Sequence, residues 1–151
     1  AVAAIGATPV FADIDFDSGN LTKETIESVM TSRTRGVVVV HLGGWPADML
    51  AIMKLAQENN LKIVEDCAQS HGASIGGQRV GSFGHAATFS FCQDKIMSTG
   101  GEGGMLTTNN EAFWRKIKNQ SKTESTSSPT VKKKTIYQIG HNSQKFPRLR
   151  R

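Results

Sequence analysis

Residues 62–72 read Lys-Ile-Val-Glu-Asp-Cys-Ala-Gln-Ser-His-Gly. The first four contain the apolar, β-branched pair Ile63-Val64, which is typical of a strand, and Asp66 follows this run directly. In an open α/β sheet, ligands bind at the carboxyl ends of the strands. We therefore expect Asp66 at the ligand-binding edge of a sheet, either as a site residue or as a cap for the next turn.

Short apolar runs of the same kind recur along the chain and alternate with helical patterns. They are Pro9–Asp13, Gly36–His41, Ala86–Phe91 and Gly104–Thr107. This alternation predicts an α/β fold with a mainly parallel sheet flanked by helices. Residues 37–40 are four consecutive valines, apolar on both faces, and they predict a central strand.

Three helices are predicted from capping residues and from apolar spacing. They begin at Thr22, at Pro46 or Asp48, and at Asn110. The third helix is expected to end at about Gln120. Its residues Phe113 and Ile117 share one face, which we expect to point inward.

The composition is that of one soluble globular domain, with 151 residues, 38% hydrophobic and 21% charged. No apolar run reaches the roughly 20 residues that span a bilayer, and no basic segment precedes the apolar start. The sequence therefore predicts a cytoplasmic protein without a membrane segment. Neither Cys67 nor Cys92 has a second Cys or His at zinc-site spacing, so we predict no metal site and expect reduced packing residues or pocket-lining ones.

Charge divides the chain into two parts. Residues 1–114 carry 7 Lys or Arg and 12 Asp or Glu, whereas residues 115–151 carry 11 and 1. Residues 121–151 begin with a polar stretch of low complexity and continue with Lys132–Lys134. We predict a folded unit over residues 1–120 and a basic tail over residues 121–151 that is disordered or non-native.

Lys95 stands out by its isolation, because residues 63–94 contain no other lysine. It follows a predicted strand in which Phe89 and Phe91 face one side and Ser90 the other. A lysine amine can form a Schiff base with a carbonyl, and an aromatic cofactor used as an electron sink needs a carboxylate at its ring nitrogen. Lys95 and Asp66 could be these groups; otherwise Lys95 is a solvated surface residue.

The order of these motifs resembles the DegT/DnrJ/EryC1/StrS family of sugar aminotransferases, from about residue 3 to about residue 120. The resemblance implies pyridoxal 5'-phosphate (PLP) as cofactor. It makes residues 1–120 part of the large domain of a fold-type I, aspartate aminotransferase-like PLP enzyme.

The resemblance also implies roles for individual residues. Asp66 would pair with the ring nitrogen, Gln69 would contact the phenolic oxygen, Ser90 would bind the phosphate and Lys95 would form the Schiff base. His71 is equally consistent with packing and with the site. The glycines of residues 100–104 are expected to shape the loop around the lysine first and to contact a ligand second.

The reaction that the resemblance implies is amino transfer from glutamate or another amino acid to a keto group of a nucleotide-linked sugar. Some relatives have histidine in place of Lys95 and act as dehydratases, so the lysine favours transamination. A homodimer is implied for the full-length enzyme. Gly140-His141-Asn142 resembles a family motif that reaches the neighbouring subunit's phosphate, but Gln144 stands where that motif has arginine.

Two other interpretations stay open at this point. The chain could be an inactive fragment of such an enzyme, or a binding module whose basic tail contacts nucleic acid or an anionic surface. Basic tails are usually solvated, so nucleic acid is not the expected partner.

Overall fold

The computed structural model describes residues 1–124 and 136–139 of the chain. Its central element is a five-stranded sheet with strand order β1-β2-β5-β6-β7. These strands are β1 (Gly36–Val40), β2 (Lys62–Asp66), β5 (Ala86–Ser90), β6 (Gly104–Thr107) and β7 (Ile136–Ile139). Two short strands, β3 (Ser74–Ile75) and β4 (Gln78–Arg79), form a separate antiparallel pair.

The sheet is mainly parallel, as the sequence predicts. Strand β1 pairs with β2 in parallel, and β2 pairs with β5 in parallel. Strand β6 runs antiparallel to β5, and β7 runs parallel to β6. The carboxyl ends of β1, β2 and β5 therefore meet at one edge, together with the amino end of β6.

The helices begin at the predicted capping residues. Thr22 caps α1 (Lys23–Val29) in a reciprocal pair of hydrogen bonds with Thr25. The Asp48 carboxylate accepts the Ala51 N–H at the start of α2 (Met49–Glu58). Helix α3 (Glu111–Glu124) starts after Asn110, whose side-chain oxygen accepts the Phe113 N–H.

The two faces of the sheet have different surroundings. Paired residues of parallel strands share a face, so Val39 and Glu65 point one way while Val40 and Asp66 point the other. Helices α1 and α2 cover the Val39 face, where the largest apolar cluster lies. That cluster contains Ile26, Val39, Ala47, Met49, Ile52, Leu55, Ala56, Leu61 and Ile63. On the opposite face, Val38 is 46% exposed and Val40 is 40% exposed.

Two strand predictions are wrong. Pro9–Asp13 forms no strand, and within it Phe11 is 89% exposed, so the apolar pattern is not matched by burial. Strand β1 is an edge strand and not a central one, because β2 is its only partner among the described residues. Four consecutive valines indicate apolar faces, but they do not fix how many neighbouring strands pair with the backbone.

The inward face of α3 also differs from the prediction. Phe113 is 40% exposed, whereas Trp114 and Ile117 are half-buried. These two residues are three positions apart. Residues three positions apart lie on one helix face, as do residues at the predicted spacing of four. The helix is therefore rotated by about one residue from the predicted orientation.

Parts of the predicted tail have regular structure. Helix α3 continues to Glu124, and the strand Ile136–Ile139 lies within residues 121–151. Neither the continuation of α3 beyond Gln120 nor this strand was expected from composition, which lacks apolar periodicity there. The remaining tail residues, including Lys132–Lys134 and Gly140-His141-Asn142, lie outside the described residues. Among the helices of the described part, none combines the length and apolar character that a membrane span requires.

Candidate active site

The predicted site residues lie around one edge of the sheet. Asp66 ends β2 and Ser90 ends β5, while Gly104 begins β6 opposite Ser90. Gln69 follows from the end of β2, and Lys95 follows from the end of β5. The topology therefore brings the acid, the serine and the lysine to the same edge, as expected.

Asp66 is half-buried and has one engaged carboxylate oxygen. Its Oδ1 accepts the N–H of Ala68 at 3.0 Å, which is the turn-capping contact that strand-end acids commonly make. Its main-chain oxygen accepts the N–H of His41 at 3.1 Å. Its Oδ2 accepts no hydrogen bond from the described residues, so one carboxylate oxygen is open to a ligand.

Gln69 is exposed, yet its side chain is oriented by a specific contact. Its Oε1 accepts the N–H of Gly43 at 2.8 Å. Gly43 belongs to the 3-10 turn Leu42–Gly44 that follows β1, and its φ of 59° is a left-handed value that glycine adopts without strain. The turn after β1 thus fixes a side chain that the sequence places after β2.

Ser90 takes part in a short hydrogen-bonded series at the end of β5. Its hydroxyl lies 3.2 Å from Cys92 Sγ and accepts the Cys92 N–H at 3.4 Å. The Cys92 thiol in turn donates to Asp94 Oδ1 at 2.7 Å. The hydrogen bond from Cys92, the backbone around Asp94 and the nearby Lys95 hold the pKa of the Asp94 carboxyl below its usual value.

The Lys95 side chain is largely covered, and its amine is only loosely paired. Its side chain is 22% exposed, and Nζ lies 4.0 Å from Asp94 Oδ2, at the outer limit for an ion pair. An exposed contact of this length contributes little to stability. The Lys95 backbone is better fixed, because its N–H donates to Cys92 O at 3.1 Å in the turn after β5.

Thr99 and Gly103, which precede β6, form backbone hydrogen bonds with Phe91, which follows β5. Phe91 N donates to Gly103 O at 2.8 Å, and Thr99 N donates to Phe91 O at 3.0 Å. A Cβ atom on Gly104 would lie 3.0 Å from Phe89 O, tighter than ordinary packing. This close approach supports the predicted role of the glycines in backbone geometry.

His71 packs against the phenylalanines and away from Ser90. Its ring centroid lies 5.5 Å from that of Phe89 and 5.6 Å from that of Phe91. Both ring nitrogens are buried and have no hydrogen-bond partner among the described residues. Of the two readings that the sequence leaves open, the structure therefore favours packing.

A buried pair, Glu65 and His41, was not predicted. Both side chains are fully buried, with His41 Nε2 at 3.1 Å from Glu65 Oε2. Burial alone would raise the pKa of the Glu65 carboxyl, but hydrogen bonds from His41, Gly84 and Gly81 outweigh it and lower that pKa. Strand alternation could have placed Glu65 opposite Asp66, but no local pattern indicates its distant partners.

His41, Glu65 and Cys67 have potential metal ligands within 4.8 Å of one another. Their atoms are nonetheless engaged or protonated: both imidazole nitrogens and both carboxylate oxygens form hydrogen bonds within the protein. Burial, with the negative charges of Glu65 and Asp66, raises the pKa of the Cys67 thiol to about 12. Because a thiolate is the form that binds metal, this cluster is better described as a structural network.

Comparison with known proteins identifies the family. The model of the DegT/DnrJ/EryC1/StrS aminotransferase family matches residues 1–144. The chain belongs to this family. The match extends past residue 120, where the resemblance was expected to end.

Individual members of the DegT/DnrJ/EryC1/StrS family are closely similar. A UDP-N-acetyl-3-dehydro-alpha-D-glucosamine 3-aminotransferase of Acidithiobacillus ferrooxidans is 48% identical over 118 residues, covering 78% of this chain and 32% of the relative. A dTDP-3-amino-3,6-dideoxy-alpha-D-galactopyranose transaminase of Aneurinibacillus thermoaerophilus is 48% identical over 109 residues, covering 72% and 30%.

Solved structures of the family share the fold. An aminotransferase from Psychrobacter cryohalolentis matches with a TM-score of 0.77 and 48% identity, covering 91% of this chain and 38% of that one. The predicted fold class is thereby confirmed. The chain spans about a third of the length of the curated relatives it matches.

Proposed function

We propose that the chain is the cofactor-binding part of a PLP-dependent aminotransferase. The enzyme moves an amino group from glutamate or another amino acid to a keto group of a nucleotide-linked sugar. The observation that carries this proposal is the shared sheet edge of Asp66, whose Oδ2 accepts no hydrogen bond from the described residues, and Lys95, whose amine is only loosely paired.

The residues at this edge fit PLP in chemical type. Asp66 Oδ2 would accept the proton of the pyridine nitrogen, and the Gln69 amide NH₂ would donate to the phenolic oxygen. The Ser90 hydroxyl would donate to the phosphate, and the Lys95 amine would hold the cofactor covalently. When bound, PLP supplies the electron sink that the chemistry needs.

The protein's own groups account for the rest of the reaction. By pairing with the ring nitrogen, the Asp66 carboxylate would keep that nitrogen protonated and so favour electron withdrawal from the reacting carbon. With the donor amine in its place, the Lys95 amine would act as acid and base in the 1,3-proton shift, which moves a proton between two carbon atoms separated by a nitrogen. The loose contact with Asp94 leaves Lys95 Nζ free to move between these positions.

The substrate class is supported by the names of the two curated relatives, which specify UDP- and dTDP-linked sugars. We propose the same class here, together with residues 1–120 as the cofactor-binding unit, residues 121–151 as a separate basic segment, a homodimer at full length and a cytoplasmic location.

Covalent trapping of the cofactor tests this proposal. The chain is incubated with PLP, reduced with borohydride, digested and analysed by mass spectrometry. We expect the label on the peptide that contains Lys95 and its loss in Lys95→Ala. Lys54→Ala is the matched control, because Lys54 lies exposed on α2 and should leave the labelling unchanged. Label on another lysine, or undiminished label in Lys95→Ala, would overturn the assignment.

A further inference from the structure

We propose that His41 and Glu65 are positioning residues that hold Asp66 and Gln69 in place for the cofactor ring. Neither side chain reaches the site, because both are fully buried on the face of the sheet opposite Asp66. The inference rests on the proposed function, since it assigns Asp66 and Gln69 to the cofactor.

The Glu65 carboxylate is fully hydrogen-bonded. Oε2 accepts from His41 Nε2 and from Gly81 N at 2.7 Å, and Oε1 accepts from Phe83 N at 2.9 Å and Gly84 N at 2.6 Å. A buried carboxylate with four donors is well compensated for its lost hydration. The turn at residues 81–84 leads into β5, so the carboxylate ties the strand that carries Asp66 to the strand that carries Ser90.

The hydrogen bonds of His41 define its proton position. Nδ1 accepts the Ala47 N–H at 3.1 Å, so the ring proton lies on Nε2 and is donated to Glu65. The imidazole therefore joins two segments. One is the loop from β1 to α2, and the other is β2, which ends at Asp66.

His41 also contacts Asp66 directly through the backbone. The His41 N–H donates to Asp66 O at 3.1 Å, and the neighbouring side chain of Glu65 accepts from the His41 ring. Two contacts from one residue thus hold consecutive positions of β2. They limit how far the end of the strand can shift or rotate. They therefore also limit changes in the direction of the Asp66 carboxylate.

The same loop orients Gln69. Residues 41–47 are closed by the Ala47 contact to the His41 ring, and this closure contains the turn that presents Gly43 N–H to Gln69 Oε1. Asn20 supports the turn from outside, accepting Leu42 N–H at 3.2 Å and donating to Trp45 O at 3.0 Å. If the His41 ring is lost, we expect the turn to loosen and Gln69 to lose its partner.

Two substitutions separate the two functions of the imidazole. In His41→Asn, the side-chain oxygen can occupy the place of Nδ1 and accept from Ala47, but the shorter side chain brings no donor to Glu65. In His41→Gln, the amide nitrogen can occupy the place of Nε2 and donate to Glu65, but Ala47 loses its acceptor. His71→Gln is the matched control, since the His71 ring has no hydrogen-bond partner among the described residues.

Hydrogen exchange measured by NMR on the PLP-free chain tests whether the His41 ring stabilises the turn that binds Gln69. We expect the Gly43 amide to exchange about tenfold faster in His41→Gln, the change expected for one lost hydrogen bond. The Ile63 amide in β2, which donates to His85 Nδ1 away from the His41 loop, should stay unchanged and serves as the reference for a loss of stability beyond that loop. His41→Asn should restore part of the Gly43 protection, and His71→Gln should leave it as in the wild type.

PLP titration with borohydride trapping tests whether the His41 contacts affect cofactor binding. We expect both His41 variants to need about tenfold more PLP for half-maximal trapping. The extent of trapping on Lys95 at saturation should be unchanged, because the amine itself is untouched. A higher PLP concentration for half-maximal trapping, with an unchanged extent of trapping at saturation, indicates a positioning role. Loss of the reactive amine would instead lower the extent of trapping at saturation.

Two results would overturn the inference. One is unchanged Gly43 exchange in His41→Gln, and the other is an equal increase for Gly43 and Ile63, which would indicate a global loss of stability only. Failure of the wild-type chain to trap PLP would instead contradict the proposed function. In that case the Gly43 measurement, which needs no cofactor, still decides whether His41 orients the Gln69 contact.

Discussion

Glu65 and Asp66 are neighbouring carboxylates with opposite surroundings. Glu65 points to the face covered by α1 and α2, where four donors satisfy it completely. Asp66 points to the open face, where one of its oxygens accepts no hydrogen bond from the described residues. The comparison shows how one strand can serve two purposes: the buried face holds the fold together, and the open face keeps polar groups available for a ligand.

The largest expected effect is on stability. Glu65→Ala leaves the His41 ring and the N–H groups of Gly81, Phe83 and Gly84 without their acceptor. We expect a loss of about 3–5 kcal/mol, as for other buried charged groups whose partners are left behind. Asp66→Ala should cost less than about 1 kcal/mol, because its engaged contact is a single partly exposed hydrogen bond. Equal losses in urea unfolding would contradict the comparison.

The two cysteines sharpen the contrast between the faces. Cys67 is fully buried beside Glu65, and the pKa of its thiol is raised to about 12, whereas Cys92 is half-buried at the site edge. A thiol with that pKa has about a thousandfold less thiolate at pH 8 than an ordinary one.

We therefore expect iodoacetamide to modify Cys92 in the folded chain and to reach Cys67 only on unfolding. Peptide mass spectrometry over a time course checks this, with Cys92→Ser as the control that should remove the fast reaction. Comparable rates of modification at Cys67 and Cys92 would show that the buried face is accessible to the reagent in the folded chain.

Acid should weaken the buried face through protonation of Glu65. The pKa of Glu65 is lowered in the folded state from its usual 4.5, so its contribution to stability is present above pH 4.5 and is lost as pH falls through the lowered value. We expect the free energy of unfolding to decrease below pH 4.5, and less steeply in Glu65→Gln.

Asp15→Asn serves as the control for the acid experiment, because the pKa of Asp15 is also lowered, by hydrogen bonds from Ser18, but Asp15 is only half-buried, unlike Glu65. An unchanged slope in Glu65→Gln would assign the acid sensitivity to other carboxylates.

The smallest effect concerns the helix that covers the buried face. Thr22→Ala removes the cap of α1 and its bond with Thr25, which should cost about 1 kcal/mol. The open face should be unaffected, so PLP trapping at Lys95 should keep its concentration dependence. A change in trapping would mean that the two faces are coupled more strongly than their contacts indicate.

The local parts of this architecture could be predicted from sequence. Strands β1, β2, β5 and β6 and the caps Thr22, Asp48 and Asn110 follow from runs and spacings of a few residues. Strand-end placement also located Asp66 at the carboxyl end of β2, at the sheet edge that it shares with Ser90. These features depend on interactions between residues close in sequence, where periodicity is informative.

The remaining features depend on distant partners. Glu65 binds the backbone of residues 81–84, and Gln69 binds Gly43, contacts that no local pattern specifies. The apolar segment Pro9–Asp13 has the composition of a strand but no pairing partner within residues 1–124 and 136–139. Composition likewise did not predict the strand Ile136–Ile139.

The most direct test of the account is the PLP affinity of Asp66→Asn compared with its stability. The asparagine side chain keeps the shape and can still accept from Ala68, but it lacks the charge that pairs with a protonated ring nitrogen. We expect the free energy of unfolding to stay within about 1 kcal/mol of the wild type and PLP binding to weaken by about tenfold or more, as for loss of a charged hydrogen bond. Unchanged PLP affinity, or weaker binding that is explained by unfolding, would contradict the assignment of the open face to the cofactor.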